Sequence, residues 1–168
     1  MNIFSQSKIL LSTLVLGFSA CATGTPSIEA VATSETAELP EIIVNAQAEK
    51  PFAEHKLVLQ LSNQSRQTDV LDVANNLIKN YGGPEYIDIE VVTFNEGVKL
   101  LYADSPHLDR VASLVENGVR FSVCKNTIDS TERRTGVRPE LSPHADLVQA
   151  GVARMITLVE HGYIQIKP

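Results

Sequence analysis

Short apolar runs alternate with segments of helical periodicity through the C-terminal two-thirds of the chain. The run KLVLQLS at 56–62 is typical of a strand that is buried on both faces of a sheet. The segment TDVLDVANNLIKNYGG at 68–83 follows it, with apolar residues at helical spacing. Because strands that alternate with helices form βαβ units, this order predicts a mostly parallel sheet.

The alternation continues to the C-terminus. The predicted strands are 86–97, 119–124, 145–151 and 163–168, and the predicted helices are a short one at 97–105 and longer ones at 105–118, 126–136 and 152–162. The resulting prediction is an α/β fold, a three-layer sandwich with a sheet of about five strands and helices on both faces.

The N-terminus has the features of an export signal. Lys8 precedes the apolar run ILLSTLVLGFSA at 9–20, which has the length of a signal-peptide core and is short for a transmembrane helix. Residues 1–22 are therefore predicted to be a signal peptide, cleaved after Ala22. In a second interpretation the sequence FSAC is a lipoprotein signal, and Cys21 becomes the lipidated first residue. An uncleaved anchor is the remaining alternative. Cleavage or lipidation would place the protein in a bacterial periplasm, in the second case tethered to a membrane.

Residues 23–55 are predicted to be a flexible acidic tether. The segment contains six glutamates and one lysine, and it is rich in small residues and prolines. Its apolar residues follow no sustained helical or strand periodicity. Such a segment buries too little apolar surface to offset the entropy of ordering it. The apolar patch LPEIIVNA at 39–46 is the one part that could dock on the domain or add an edge strand. The folded domain is predicted to span 56–168.

Composition argues against several classes of function. The net charge of −6 disfavours a nucleic-acid partner, and the absence of tryptophan removes the best stacking platform for single strands. The four histidines have no zinc-ligand spacing with Cys124, and no phosphate-binding loop motif occurs. We therefore predict no metal, no organic cofactor and no nucleic-acid partner. The histidines are His55, His107, His144 and His161.

Cys124 is the residue with the strongest case for a chemical role. Cleavage would remove Cys21 and lipidation would block it, so Cys124 would be the only free thiol in an oxidising compartment. It ends a predicted strand and precedes a predicted helix, whose unpaired N–H groups and dipole stabilise a thiolate. Lys125 adds a positive charge, and Asn126 and Thr127 offer donors to sulfur or cap the helix.

Other interpretations of Cys124 remain open at this point. Free cysteine is often a small core residue without chemistry. A Cys–His pair for acyl transfer would need His144 or His161 beside the sulfur, which the sequence cannot place. A redox sensor that forms an intermolecular disulfide is a further alternative.

Several segments resemble the DsrE/DsrF-like family, including its YchN-like members in the sulfur-relay superfamily. The similarity covers 56–168 and is carried by KLVLQLS, IDIEVVTFNEGVKLL, LVENGVRFSVCKNTI and VQAGVARMITLVEHGYIQIKP. The resemblance implies a parallel α/β sandwich that assembles into trimers or hexamers. It also implies that Cys124 matches the cysteine that carries sulfur as a persulfide, while Asn126 and Thr127 match the motif without an assigned role.

The resemblance leads to a functional expectation. The chain would be an exported sulfur carrier or sulfurtransferase-like protein whose partners are sulfur donor and acceptor proteins or small sulfur compounds. It departs from relay members in one respect, since those typically work in the cytoplasm. The alternative is a non-enzymatic oligomeric binding module of the same fold, in which Cys124 is structural or redox-sensing.

Overall fold

The computed structural model describes Lys50 and residues 52–168, which belong to one compact unit. The predicted signal peptide, Cys21 and the tether up to residue 49 lie outside the described residues. None of the helices in the described part combines the length and the apolar character needed to cross a bilayer.

Five strands and four α-helices alternate along the described chain. The strands are β1 (His55–Leu61), β2 (Ile87–Thr93), β3 (Arg120–Cys124), β4 (Asp146–Val148) and β5 (Ile164–Ile166). The α-helices are α1 (Gln67–Asn80), α2 (Leu108–Glu116), α3 (Lys125–Thr135) and α4 (Gly151–Glu160), and short 3-10 helices occupy Gln64–Arg66 and Asn95–Leu101.

The strands form one parallel sheet in the order β4-β3-β2-β1-β5. The central strand β2 is buried along its whole length, as expected of a strand that is covered on both faces. The parallel α/β sandwich expected from the sequence is therefore confirmed.

The two faces of the sheet are covered unequally. Three helices and the second 3-10 helix pack on one face, where the main core includes Leu59, Leu71, Leu114 and Ile128. On the other face α4 is the only described helix, and its Met155 and Leu158 pack on Val58 of β1 and Val92 of β2. The β3 and β4 part of this second face is left largely uncovered by helix.

Helix starts differ from the sequence-based expectation in two places. The helix predicted over 105–118 begins only at Leu108, and the hydroxyl oxygen of Ser105 accepts from the backbone N–H of His107 at 3.4 Å. Helix α3 begins directly at Lys125, so Cys124 itself is the N-cap residue in place of Asn126 or Thr127.

Lys50 lies at the amino-terminal end of the sheet. The ammonium group of Lys50 donates to the carbonyl oxygens of Pro84 at 2.8 Å and of Ile87 at 3.0 Å. Ile87 is the first residue of β2, so these bonds fix Lys50 beside the start of the central strands.

Candidate functional site

Cys124 lies at the carboxyl end of β3, the edge of a parallel sheet where ligands bind in α/β folds. Its side chain is buried, with 6% of its surface exposed. Among the described residues it is the one free cysteine. Cys124 is the N-cap of α3, so its side chain sits beside the first turn of this helix, without a side-chain cap hydrogen bond.

A second helix also begins at Cys124. Gly151 is the first residue of α4, and a Cβ atom built on it would lie 3.3 Å from the Cβ of Cys124. The same built atom would lie 3.4 Å from two carbon atoms of Phe94. The amino-terminal ends of α3 and α4 thus meet at one side chain, and both carry partial positive charge that favours an anion there.

The three residues after Cys124 have other partners. Lys125 forms an ion pair with Asp129 at 2.6 Å, four residues along α3. Asn126 accepts from the side-chain amide of Gln149 at 2.9 Å, and its backbone N–H donates to the carbonyl oxygen of Gln149 at 3.2 Å. These contacts tie the start of α3 to the segment that leads into α4.

Thr127 connects a different segment to α3. Its hydroxyl oxygen accepts from the backbone N–H of Asn95 at 3.2 Å. Asn95 has a φ of 49°, a left-handed conformation that is uncommon for a residue other than glycine. Thr127 therefore holds the turn after β2, which carries Phe94 against the cysteine.

Neither histidine that could pair with Cys124 lies beside it. His161 follows the last residue of α4, so the ten residues of that helix separate it from Gly151 by about 15 Å. His144 lines a small pocket with Val119 and Arg120, at the opposite end of β3. In the described residues no group of three or more histidine, cysteine or acidic side chains is placed to hold a metal ion.

A buried charge network occupies the same face of the sheet as Cys124. Glu90 of β2 is fully buried and accepts from Nε and Nη2 of Arg154 at 2.8 and 2.7 Å. It also accepts from the hydroxyl of Ser122 at 2.6 Å and from Nε of Arg120 at 3.3 Å. Two cations and one hydroxyl thus converge on one carboxylate.

The network extends toward β5 through Tyr163. The phenol of Tyr163 donates to Asp88 at 2.5 Å and accepts from Nη2 of Arg120 at 2.8 Å. Nη1 of Arg120 forms an ion pair with Asp88 at 2.8 Å. All three nitrogens of the Arg120 guanidinium are therefore engaged within the network.

The network shifts the pKa values of its members so that Glu90 and Arg120 stay charged and the phenol of Tyr163 stays protonated. Burial acts to raise the pKa of Glu90, but hydrogen bonds from Arg154 and Ser122 outweigh it, so the pKa lies below its ordinary value. Burial acts to lower the pKa of Arg120, and the charge of Asp88 outweighs it, so that pKa is raised. Burial and the bond to Asp88 raise the pKa of Tyr163 to about 12.

A pocket of about 260 Å³ opens beside this network, over the part of the face that α4 leaves uncovered. Side chains of a strand alternate between faces, so Arg120, Ser122 and Cys124 point to the same side of β3. The register pairs Ser122 with Asp146 and Cys124 with Val148, and both of these β4 residues line the pocket. The lining is Glu90, Arg120, Ser122, Ala145, Asp146, Leu147, Val148 and Arg154.

Neither this network nor the pocket was predicted from the sequence. One signal was present, because Asp88 and Glu90 stand two residues apart in the otherwise apolar strand IDIEVV. Acidic residues at this spacing share a face, and a buried carboxylate needs a cationic partner. That partner, Arg154, lies 64 residues away and has no local mark in the sequence.

Comparisons with known proteins support the fold. No family model matches the chain, and no curated protein matches it. A solved structure from Methanobacterium thermoautotrophicum, described as a protein of unknown function, superposes with a TM-score of 0.61 and 26% sequence identity. The alignment covers 68% of this chain and 100% of that chain, so the two share one α/β sandwich fold.

Proposed function

We propose that this chain is a sulfur carrier or sulfurtransferase-like protein that holds sulfane sulfur as a persulfide on Cys124. The observation that carries the proposal is the meeting of the α3 and α4 amino-terminal ends at this one thiol. Partial positive charge from two helices stabilises a thiolate or a persulfide anion more than a thiol. The resemblance of GVRFSVCKNTI to the DsrE/DsrF-like motif points to the same residue.

The transfer is a displacement that needs no oxidant. The Cys124 thiolate attacks the outer sulfur of a donor persulfide, R–S–SH, and a new sulfur–sulfur bond forms. The bond between the two donor sulfurs breaks, and its electron pair leaves with R–S⁻. An acceptor thiolate then repeats the step on the Cys124 persulfide. Donors and acceptors are partner proteins or small sulfur compounds, and the chemistry uses no metal.

A mass-spectrometric experiment tests the proposal on the full chain. After treatment with polysulfide, or with thiosulfate and a thiol, free sulfur groups are alkylated and the protein is digested with trypsin. Cleavage after Arg120 and Lys125 isolates Cys124 in the peptide FSVCK, well separated from Cys21. A persulfide adds about 32 Da, one sulfur atom, to this peptide. The control is Cys124→Ser, in which the modified peptide must disappear. An unmodified FSVCK peptide in a protein whose Cys124 reacts with alkylating agent would contradict the proposal.

The burial of Cys124 favours a second candidate, a non-enzymatic binding module in which this residue is structural. With 6% of its surface exposed, Cys124 would then react with a thiol reagent only as fast as the domain opens. The rate of labelling in the native protein separates the candidates. Labelling that is as slow as global unfolding supports the structural role, whereas rapid labelling without unfolding supports the carrier.

We also propose that the domain assembles as a homo-oligomer, as a trimer or hexamer. Helix α4 presents Val152, Ile156 and Val159 to solvent, with 53%, 56% and 45% of each surface exposed. Their spacing places them on one side of the helix, an apolar stripe of the kind that marks contact sites between proteins. Ile156→Lys should reduce the mass measured by light scattering, whereas the control Asn76→Lys on α1 should not. A monomeric wild-type protein would refute this assembly.

Export to a bacterial periplasm completes the proposal, with residues 1–22 as the signal and Cys21 as the alternative lipidation site. If Cys21 is lipidated, Cys21→Ser should move the protein from the membrane fraction to the soluble periplasmic fraction. If the chain is simply cleaved after Ala22, the wild-type protein should already be soluble in the periplasm. Recovery of the wild-type protein in the cytoplasm with residues 1–22 attached would refute export.

A further inference from the structure

The pocket beside Ser122 has a balanced set of charges. Its lining includes the guanidinium groups of Arg120 and Arg154 and the carboxylates of Glu90 and Asp146, which gives a formal charge of zero. Asp88 lies outside this lining and also pairs with Arg120, so the pocket offers a simple anion no excess of positive charge. A ligand that carries one charge of each sign can meet both kinds of wall.

Arg154 is the guanidinium of the lining with fewer of its nitrogens committed to the buried network, and Asp146 is the carboxylate of the lining that belongs to β4. All three nitrogens of Arg120 are held by Glu90, Asp88 and Tyr163. Arg154 uses Nε and Nη2 for Glu90, and its Nη1 lies outside that bidentate pair. A carboxylate such as Asp146 accepts up to about four hydrogen bonds, so it can receive an ammonium group in addition to its existing contact.

The size and position of the pocket limit the ligand further. Pockets for drug-sized molecules measure about 300–1,000 Å³, so a volume of about 260 Å³ suits a smaller molecule. Cys124 lies two residues along β3 from Ser122, which is about 6.6 Å. Val148, the register partner of Cys124, forms one end of the lining. Cys124 is not part of the lining, but its neighbours Ser122 and Val148 are, so the pocket ends next to the part of β3 that carries the thiol.

We propose that this pocket binds a small zwitterion of the amino-acid class that carries sulfur, an aminothiol or its persulfide. Its carboxylate binds Nη1 of Arg154, its ammonium group binds Asp146, and its sulfur lies on the Cys124 side. The role of this ligand as sulfur donor or acceptor rests on the proposed function of Cys124, whereas its binding does not. On this proposal, Cys124 exchanges sulfur with a small metabolite as well as with partner proteins.

Calorimetric titration with S-methyl-L-cysteine tests the binding without any transfer chemistry. The sulfur of this compound is a thioether, which cannot be transferred as sulfane sulfur. Two analogues each lack one charge: 3-(methylthio)propionate has no ammonium group, and 2-(methylthio)ethylamine has no carboxylate. The expected result is saturable binding of the zwitterion with a Kd of about 1 mM or tighter. Each analogue should bind at least about tenfold more weakly, as the loss of one charge-assisted hydrogen bond predicts.

A matched pair of variants locates the site. Asp146→Asn preserves the shape of the side chain and should weaken binding of the zwitterion about tenfold. The control Asp109→Asn removes an exposed carboxylate in the first turn of α2 and should leave binding unchanged. No saturable binding to the wild-type protein, or equal binding of either analogue, would overturn the proposal even if Asp146→Asn failed to fold. Because the ligand carries no transferable sulfur, failure here would leave the persulfide experiment on Cys124 unaffected.

Discussion

Replacing Glu90 by glutamine should remove a large share of the stability of the domain. Glu90 is fully buried, and two guanidinium groups and one hydroxyl direct their hydrogens at its two oxygens. Glutamine presents a donor where one oxygen accepts, and it leaves Arg120 and Arg154 with less compensating charge. Breaking a buried ion pair from one side costs about 3–5 kcal/mol, out of a total of about 5–15 kcal/mol for a domain.

The effect should depend on pH with a defined sign. The pKa of Glu90 is lower in the folded protein than its ordinary value. Its ionisation therefore contributes stability that is fully present above the unfolded pKa, about 4.3, and is lost as the pH falls through the folded pKa. The difference in unfolding free energy between wild type and Glu90→Gln should accordingly be largest near neutral pH and shrink in acid.

Denaturant unfolding at neutral pH and at about pH 3, below the ordinary pKa of glutamate, measures both effects. The control is Glu132→Gln, which removes an exposed carboxylate paired with Arg138 at 2.7 Å. Exposed pairs contribute about 0–1 kcal/mol, so this control should unfold almost as the wild type does. A loss below about 1 kcal/mol for Glu90→Gln would refute the argument. It would show that the two arginines find other partners or water.

Two further substitutions test other contacts of the fold. Gly97→Ala should cost more than about 3 kcal/mol, because the added Cβ would lie 2.2 Å from the carbonyl oxygen of Leu61. The control Gly136→Ala has open space and a φ of 77°, so a thermal melt should show a cost of only about 1–2 kcal/mol. Equal melts for the two variants would contradict the predicted clash. Tyr163→Phe removes the phenol donor from Asp88 and leaves only the ion pair with Arg120. The variant should lose about 1–3 kcal/mol in denaturant unfolding, and the tyrosine absorbance change near pH 12 should become smaller. An unchanged alkaline titration would contradict this assignment.

The fold was predictable because its signals are local. A parallel sheet buries both faces of its central strands. A continuous apolar run such as KLVLQLS can therefore be recognised as a strand from its own residues alone. The position of Cys124 at the end of β3 followed from the same pattern, since the strand and the polar helix after it differ clearly in composition. These features depend on residues that lie within about ten positions of each other, roughly the length of one element.

The surroundings of Cys124 were not predictable because they depend on which elements meet in space. Gly151 lies 27 positions after Cys124, and only the packing of α4 brings it to the sulfur. The same packing turns Arg154 onto Glu90 across 64 positions. Lys125, the adjacent charge expected to act on sulfur, instead pairs with Asp129, because residues four apart on a helix face each other.

Because all strands run in the same direction, the sheet has an amino-terminal edge and a carboxyl edge, and these form two different poles of the domain. Lys50 is bonded beside the start of β2, whereas Cys124 ends the neighbouring strand β3 at the opposite edge. The five residues of β3 alone separate these edges by about 16 Å. Whatever is joined upstream of Lys50 is therefore attached at the pole away from the thiol. An attachment at Lys50 itself would therefore leave the Cys124 pole open to any molecule arriving from solution.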